Sequence, residues 1–338
     1  MERIRVALFG ASGSIGKIYR EELQRHPFFE LTWIAGSPKS EGMVLDGLPL
    51  KHPDNLQEMK KNADLIFFAA DNLAAKTIEP RLRTLGLPVF TNASFHRMAP
   101  FADLVIPEIN PNALLNCSLE GEKKALFIAK PNCALQNILL PLFPLHKRYQ
   151  IKKLVVTSLQ SVSGAGSTLP AHSIMDNVLP LIPGEEEKIV AEMHKILQAS
   201  FPFSVSSLRV PTSHGHMAII RASFEKRPKI TDIPPLWDRF IGLPQELHLP
   251  SAPKKPVHYF PQNDRPQLSK DRDRGGGMTV SVGKLRSSPL FDVEFCALSH
   301  NLRRGGAKGA LLAAELYSYA KQFPDTFLAT SSTSCLPK

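Results

Sequence analysis

The chain has 338 residues, of which 43% are hydrophobic and 21% are charged, as in folded proteins with a sizeable core. This length suits two domains of about 150 residues each. No run reaches the roughly 18 consecutive apolar residues of a transmembrane helix, and the four widely spaced cysteines favour neither a disulfide framework nor a zinc site. We therefore expect a cytoplasmic protein without a membrane partner or a bound metal.

The net charge of +10 raises the hypothesis of nucleic-acid binding. The basic residues are scattered, however, and even the denser groups form no long run. An anionic, phosphorylated small ligand explains the charge at least as well. We predict no nucleic-acid partner, and a DNA affinity with steep salt dependence would contradict this prediction.

In the first half of the chain, short β-rich runs alternate with helical stretches. A strand over residues 4–9 leads into a glycine loop and a helix that ends near residue 24. Further strands are predicted at residues 31–35, 64–70, 88–91, 104–106 and 125–129. Strands that alternate with helices indicate an α/β domain with a parallel, doubly wound sheet of the Rossmann type.

After residue 133 the predicted strands become longer, and they lie at 153–162, 205–210, 217–224, 278–285 and 291–297. A helix is predicted over 185–199, where Ile189, Met193 and Ile196 recur at helical spacing. A short helix is expected near 237–241, and a last amphipathic helix over 307–322. This pattern predicts a second, α+β domain over 133–300, with the first domain made of 1–132 and 301–338.

The glycine loop after the first strand is typical of a dinucleotide site. It places Gly10, Gly13 and Gly16 between a strand and a helix, where free N–H groups and the helix dipole favour a pyrophosphate. The residues predicted to contact the cofactor here are Gly10, Ser12, Gly13, Ser14, Ile15 and Gly16. Because the commoner motif is Gly-x-Gly-x-x-Gly, an ordinary glycine-rich turn is the alternative interpretation.

The end of the second predicted strand indicates which dinucleotide is bound. NAD-specific folds usually place Asp or Glu there to hold the ribose hydroxyls. This chain has Ser37, Lys39 and Ser40 instead, and two hydroxyls with a cation suit a 2′-phosphate. The sequence therefore favours NADP, with a solvated turn as the alternative.

Cys133 is the cysteine with a setting that suits chemistry. It follows a β-run and a proline, and a helix is predicted to start at or just after it. A thiol at a helix N-terminus ionises more readily because the dipole stabilises the thiolate, which is the nucleophilic form. From these residues alone, a buried structural cysteine is an equally good interpretation. The remaining cysteines, Cys117, Cys296 and Cys335, lack this setting.

Pro131-Asn132-Cys133 resembles the active-site motif of the aspartate-semialdehyde dehydrogenase family. Other similar segments follow in the family's order, from about residue 4 to residue 316. The phosphate loop of the family corresponds to residues 92–98 and the strand after it to 105–110. A strand with its glycine loop corresponds to 158–166, the substrate helix to 192–197 and a further strand to 209–216. Two late segments correspond to 280–286 and 301–307. The loop after Gly166 lacks the Tyr-Pro-Gly of the archaeal and fungal branch, so the resemblance is to the bacterial-type branch.

The resemblance implies an NADPH-dependent reduction of L-4-aspartyl phosphate to L-aspartate 4-semialdehyde, in the biosynthesis of aspartate-family amino acids and diaminopimelate. Cys133 would attack the acyl phosphate and form a thioester. His216 would be the acid/base that accepts the thiol proton, and Gln160 would orient the thioester. The resemblance also implies a homodimer or homotetramer, with residues 1–132 and 301–338 as the NADP-binding domain and 133–300 as the catalytic and dimerisation domain.

The resemblance further assigns residues that bind the substrate. Arg209 would hold the α-carboxylate, and Glu192 the α-ammonium. The phosphate would contact Lys195, Arg97 and Asn132. Additional cofactor contacts are assigned to Ser163, Gly164 and Asn301.

Two alternatives remain at the level of single residues. His214 lies two positions from His216, and only spacing favours the latter. Glu185 and Lys188 repeat the spacing of Glu192 and Lys195, which would otherwise be a solvated helical ion pair.

Two alternatives also remain for the whole chain. One is N-acetyl-glutamyl-phosphate reductase, whose cysteine sits in a Pro-Gly-Cys-Tyr context and whose substrate has no free amine. The other is an inactive relative that serves as a binding protein, although the presence of Cys133, Gln160, Arg209 and His216 together speaks against it.

Overall fold

The computed structural model describes residues 2–114, 126–168, 174–324 and 327. The chain divides into two compact units. The first comprises Met1–Pro131, Leu249–Ser251 and Gly306–Lys338, and the second Asn132–His248 and Ala252–Gly305. These units differ from the predicted boundaries at residues 132 and 301–305, which lie in the second unit, and at 249–251, which lie in the first. The latter join the first unit because the Ser251 N–H donates a 3.0 Å hydrogen bond to the buried carboxylate of Glu315.

Among the described residues of the first unit, eight strands form one sheet in the order β3-β4-β2-β1-β5-β6-β8-β7. Its strands are β1 (Ile4–Phe9), β2 (Phe29–Ala35), β3 (Val44–Leu45), β4 (Leu48–Lys51), β5 (Leu65–Phe68), β6 (Val89–Thr91), β7 (Asp103–Leu104) and β8 (Phe127–Ala129). Its helices are α1 (Ser14–Leu23), α2 (Leu56–Asn62) and α3 (Asn72–Arg83), with a 3-10 turn at Pro38–Ser40. The helix Ala307–Gln322 also belongs to this unit and packs on α1.

All strand pairs of this sheet are parallel except the β3–β4 hairpin. The central strands are continuous apolar runs, and every residue of Leu65–Phe68 is buried. Strands covered on both faces have this composition, because neither face meets water. The carboxyl ends of these strands carry the glycine loop and the turn after β2.

The second unit contains a mixed six-stranded sheet in the order β10-β9-β11-β14-β13-β12. Its strands are β9 (Ile151–Ser161), β10 (Phe203–Val210), β11 (His216–Phe224), β12 (Val257–Phe260), β13 (Val280–Arg286) and β14 (Val293–Ser299). Its helices are α4 (Leu135–Tyr149), α5 (Glu185–Leu197), α6 (Ile233–Arg239), α7 (Leu243–Glu246) and α8 (Leu268–Asp271), with short helical turns at Val162–Thr168, Ile230–Asp232 and Arg274–Gly277. β9 and β10 run parallel and pair Gln160 with Arg209.

The predicted fold class is confirmed, since a mainly parallel Rossmann-type sheet is followed by a second α+β sheet domain. The long predicted elements are found within a few residues of their expected ends. The short strands β3, β4 and β12 were not predicted. Residue 125 of one predicted strand and the loop at 169–173 lie outside the described residues.

Within the described ranges, every helix is too short or too polar to cross a membrane. The same ranges hold no group of three or more side chains suited to binding a metal ion.

Candidate active site

Cys133 and His216 lie in contact in the second unit. Helix α4 begins at Leu135 with Ala134 as its N-cap, so Cys133 immediately precedes the N-terminus of the helix. No acidic residue occupies the first turn, and the dipole there favours a negative charge. The Sγ atom of Cys133 lies 3.1 Å from Nε2 of His216, the first residue of β11.

The ring of His216 is neutral and its proton can be located. Burial, assisted by the nearby Arg209 guanidinium, lowers the pKa of His216 to about 3. Its Nδ1 accepts a 3.1 Å hydrogen bond from the backbone N–H of Ser161, so the single ring proton lies on Nε2. That N–H points at the sulfur as a donor, which suits a thiolate. The sequence assigned acid/base chemistry to this ring, and in this tautomer the ring donates to the sulfur.

His214 occupies a different environment. It precedes β11, and its ring stacks on His300 with centroids 5.9 Å apart. Its carbonyl accepts a hydrogen bond from Arg272. Of the two histidines considered, the structure therefore places His216 against the sulfur.

Arg209 lies on β10 beside the Cys133–His216 pair and is only 5% exposed. Its Nη1 donates a 2.8 Å hydrogen bond to the carbonyl of Ser161. Burial lowers its pKa, while the charges of Cys133 and Glu185 act in the opposite direction. A guanidinium at this position attracts both a thiolate and a carboxylate ligand.

Glu185, the first residue of α5, joins two predicted site residues. Its Oε1 accepts a 2.9 Å hydrogen bond from the side-chain amide of Asn132 and another of 2.9 Å from that of Gln160. The carboxylate also lies close enough to Arg209 to influence its charge. The structure therefore gathers Asn132, Gln160, Glu185 and Arg209 around Cys133 and His216.

Glu192 occupies a different position from the one expected. It is 1% exposed, and its Oε2 accepts a 2.6 Å hydrogen bond from the backbone N–H of Asn132. This carboxylate holds the main chain of the Pro-Asn-Cys segment, so binding a substrate ammonium would require breaking that bond. Lys195 lies one turn later on the same helix and is half-buried. Of the two acidic residues that the sequence left open, Glu185 therefore fits the substrate position better than Glu192.

Asn132 also caps the start of α4. Its Oδ1 accepts a 2.8 Å hydrogen bond from the N–H of Ala134, while its Nδ2 binds Glu185. Both ends of the side chain are therefore occupied by protein groups. This differs from the expected phosphate contact and instead orients the turn that carries the sulfur.

Three residues that were expected to bind the cofactor lie next to this cluster. Ser163 accepts a 3.0 Å hydrogen bond from the side-chain amide of Asn301. A Cβ on Gly164 would lie 2.8 Å from Nη1 of Arg209 and 3.1 Å from Cε1 of His216. Glycine at this position therefore provides room for the side chains of Arg209 and His216.

The remaining expected cofactor residues lie in the first unit. A Cβ on Gly10 would lie 2.6 Å from the Ala69 backbone, and one on Gly16 would lie 2.2 Å from the Gly10 carbonyl oxygen. Gly13 is the N-cap of α1, and the helix has no side-chain cap. The backbone of the loop, including that of Ser12, Ser14 and Ile15, therefore lies uncapped at the helix N-terminus. This is the cradle that a pyrophosphate requires.

The turn after β2 presents hydroxyls and a cation. Ser40 Oγ donates a 2.8 Å hydrogen bond to the Ser37 carbonyl, and the two hydroxyl oxygens lie 3.2 Å apart. Lys39 between them is exposed. The group fits a phosphate better than ribose hydroxyls.

Arg97 lies in the first unit and is largely buried. Its Nη2 donates a 3.1 Å hydrogen bond to the Asn92 carbonyl. The preceding His96 contacts the buried carboxylate of Glu79, which also accepts from the Thr91 hydroxyl. These contacts order the loop that carries Arg97.

Two groups of the candidate site were not assigned from the sequence. The backbone N–H of Ser161 carries no sequence signal, because any residue except proline supplies one. Glu185 was identified only as an alternative, and its position at the N-terminus of α5 was the available signal.

Comparison with known proteins gives consistent results over most of the chain. Residues 5–117 match the family model for the semialdehyde dehydrogenase NAD binding domain, and residues 142–304 that for the semialdehyde dehydrogenase dimerisation domain. The chain is 35% identical to an aspartate-semialdehyde dehydrogenase of Methanothermobacter thermautotrophicus, with 93% of this chain and 98% of the relative covered. It is 30% identical to a malonyl CoA reductase (NADP) of Metallosphaera sedula, with 93% and 96% covered.

A solved structure agrees with these matches. The crystal structure of aspartate semialdehyde dehydrogenase with NADP from Candida albicans superposes with a TM-score of 0.83 at 29% identity, over 94% of this chain and 99% of that one. The predicted enzyme class and nicotinamide cofactor are thereby supported. These relatives are archaeal and fungal, so the expected bacterial-type branch is not confirmed.

Proposed function

Because this chain belongs to the aspartate-semialdehyde dehydrogenase family, we propose that it reduces L-4-aspartyl phosphate to L-aspartate 4-semialdehyde with NADPH and releases phosphate. The observation that carries the proposal is the contact between Cys133 and a neutral His216, with Arg209 and Glu185 beside them. The product would feed the biosynthesis of aspartate-family amino acids and diaminopimelate.

Cys133 acts as the nucleophile. Its thiolate attacks the acyl carbon, a C–S bond forms, and the C–O bond to phosphate breaks, which leaves a thioester on the enzyme. The N-terminus of α4 and the Arg209 guanidinium favour the negative charge on sulfur before the attack.

His216 acts as a hydrogen-bond donor to that sulfur. Its Nε2–H stabilises the thiolate before the attack. It does so again when the reduced adduct collapses and the sulfur departs from the aldehyde carbon. The low pKa of the ring keeps it neutral, so it acts on the sulfur as a hydrogen-bond donor rather than as a cationic partner.

Substrate recognition uses opposite charges on either side of Gln160. Arg209 holds the α-carboxylate, and Glu185 rather than Glu192 holds the α-ammonium. Gln160, fixed by Glu185, orients the thioester carbonyl. Lys195 and Arg97 remain the proposed phosphate contacts.

The first unit holds the cofactor. The glycine loop and the N-terminus of α1 fit the pyrophosphate, and Ser37, Lys39 and Ser40 fit a 2′-phosphate. When bound, NADPH supplies the hydride that reduces the thioester. The dimerisation-domain match supports a homo-oligomer, which we propose to be a cytoplasmic homodimer or homotetramer.

The substrate is tested against those of two related reductases. We would follow nicotinamide absorbance with L-aspartate 4-semialdehyde, phosphate and NADP, and compare N-acetylglutamate semialdehyde and, in the reductive direction, malonyl-CoA with NADPH. Glu185 predicts a preference for the aspartate compound, because neither alternative carries a free ammonium group. Preference for either alternative would replace the proposed substrate.

The covalent step is tested by Cys133→Ser, with Cys296→Ser as the matched control for loss of a thiol in the same unit. We expect kcat to fall by at least about a thousandfold in the first variant and little in the second. Activity that survives Cys133→Ser would exclude the thioester mechanism.

A further inference from the structure

Asn301 bridges the two segments that hold the catalytic histidine. It is 2% exposed, and its Oδ1 accepts a 2.8 Å hydrogen bond from the N–H of Gly215, the residue before His216. Its Nδ2 donates a 3.0 Å hydrogen bond to the Ser163 hydroxyl. One side-chain amide thus ties the turn that leads into β11 to the segment after β9.

The second segment reaches the histidine ring itself. The hydroxyl oxygen of Ser163 lies 3.1 Å from that of Ser161. The Ser161 hydroxyl lies 3.3 Å from Nδ1 of His216, and the Ser161 N–H donates to the same nitrogen at 3.1 Å. A continuous series of hydrogen bonds therefore runs from Asn301 through both serines to the ring nitrogen that determines the tautomer.

We infer that Asn301 is a positioning residue for His216, which it keeps aimed at the sulfur of Cys133 with the proton on Nε2, through Gly215 on one side and through Ser163 and Ser161 on the other. The inference rests on the proposed function insofar as Cys133 and His216 are the reacting pair. It gives Asn301 and Ser163 a role that exists before any cofactor binds.

The hydrogen bond from His216 to Cys133 requires a ring with a fixed orientation and tautomer. A hydrogen bond from Nε2–H to sulfur is directional, and a ring free to rotate or to change tautomer would lose it. Burial alone does not choose the tautomer, since it penalises only the charged form. The other charged or titratable groups that influence the ring are Arg209, which bonds to the Ser161 carbonyl, and His300, which adjoins Asn301.

The test measures sulfur reactivity without cofactor or substrate. Iodoacetamide alkylation of Cys133 would be followed by peptide mapping between about pH 6 and pH 9, where thiols ionise. In Asn301→Ala we expect the alkylation rate at neutral pH to fall on the order of tenfold, and the midpoint of the profile to rise, because the thiolate loses a charge-assisted hydrogen bond. Ser163→Ala should act in the same direction and provides a second variant if the first does not fold.

Two comparisons separate positioning from a general structural effect. In a His216→Ala background, adding Asn301→Ala should cause no further change, because the residue acts through the ring. Ser299→Ala is the matched control, since Ser299 pairs with His216 in the sheet and its buried hydroxyl has no partner among the described residues. Its profile should match that of the unmodified chain.

The inference is overturned if the Asn301→Ala profile superimposes on that of the unmodified chain. It is equally overturned if Asn301→Ala slows alkylation as much when His216 is absent. A change in NADPH affinity with unchanged alkylation would make Asn301 a cofactor contact only. Failure of the proposed function would look different, since alkylated Cys133 would then leave activity intact.

Discussion

The Oε1 atom of Glu185 accepts a 2.9 Å hydrogen bond from the side-chain amide of Gln160. This contact distinguishes the roles of two acidic residues of α5. Glu185 reaches the side chains of the candidate site, whereas Glu192 binds the main chain of Asn132.

We predict different losses when each carboxylate is made neutral. Glu185→Gln should raise KM for the semialdehyde about tenfold to a hundredfold, because it removes the partner of the ammonium. Its loss of unfolding free energy should be smaller than that of Glu192→Gln, because Glu185 is only half-buried. Glu192→Gln should lower the unfolding free energy by about 1–3 kcal/mol, because it weakens a buried charge-assisted hydrogen bond. Steady-state kinetics and urea unfolding of both variants check this, and the reverse pattern would restore Glu192 as the substrate ligand.

Gly164→Ala should damage the site without unfolding the protein. Its Cβ would press on Arg209 and His216, so we expect kcat/KM to fall roughly tenfold or more. Gly166→Ala is the control, because a Cβ there meets open space although its φ of 63° lies in the left-handed region. Its ψ of −135° makes this a conformation that favours glycine, so the variant should lose about 1–3 kcal/mol of stability and keep near-normal kinetics. Equal kinetic losses in both variants would contradict the close-packing argument.

Cofactor choice should depend on the turn after β2. Lys39→Ala is expected to raise KM for NADPH about tenfold and to leave KM for NADH unchanged, because only NADPH carries a 2′-phosphate. Lys60→Ala, which removes an exposed lysine from α2 of the same unit, serves as the control. If Lys39→Ala changed both cofactors alike, the turn would not bind the phosphate.

The buried His216 should make the protein sensitive to acid. Its folded-state pKa of about 3 lies below the ordinary value of 6.5, so between these values the unfolded chain binds a proton that the folded chain does not. Stability is therefore lost as the pH falls through this window. His216→Gln should reduce the loss between about pH 7 and pH 4.5 by about 2–3 kcal/mol. Urea unfolding at both pH values measures this, and parallel losses in the two proteins would place the sensitivity elsewhere.

The sequence alone was sufficient for the features that local patterns encode. Alternating strands and helices predicted the parallel sheet, and a glycine loop between β1 and α1 indicated the dinucleotide cradle. Cys133 was distinguished from the other cysteines because a helix starts two residues later. Each of these signals depends on residues close together in the chain, where spacing determines which groups meet.

Tertiary structure alone decided which groups reach the sulfur. Glu185 and Glu192 lie seven residues apart, close to two helical turns, so a helical pattern places them on the same face and cannot choose between them. Tertiary packing distinguishes them, because Glu185 in the first turn of α5 accepts hydrogen bonds from the side chains of Asn132 and Gln160. The tautomer of His216 was likewise beyond the sequence, since a backbone N–H from Ser161 sets it, and only the folded chain brings β9 and β11 together.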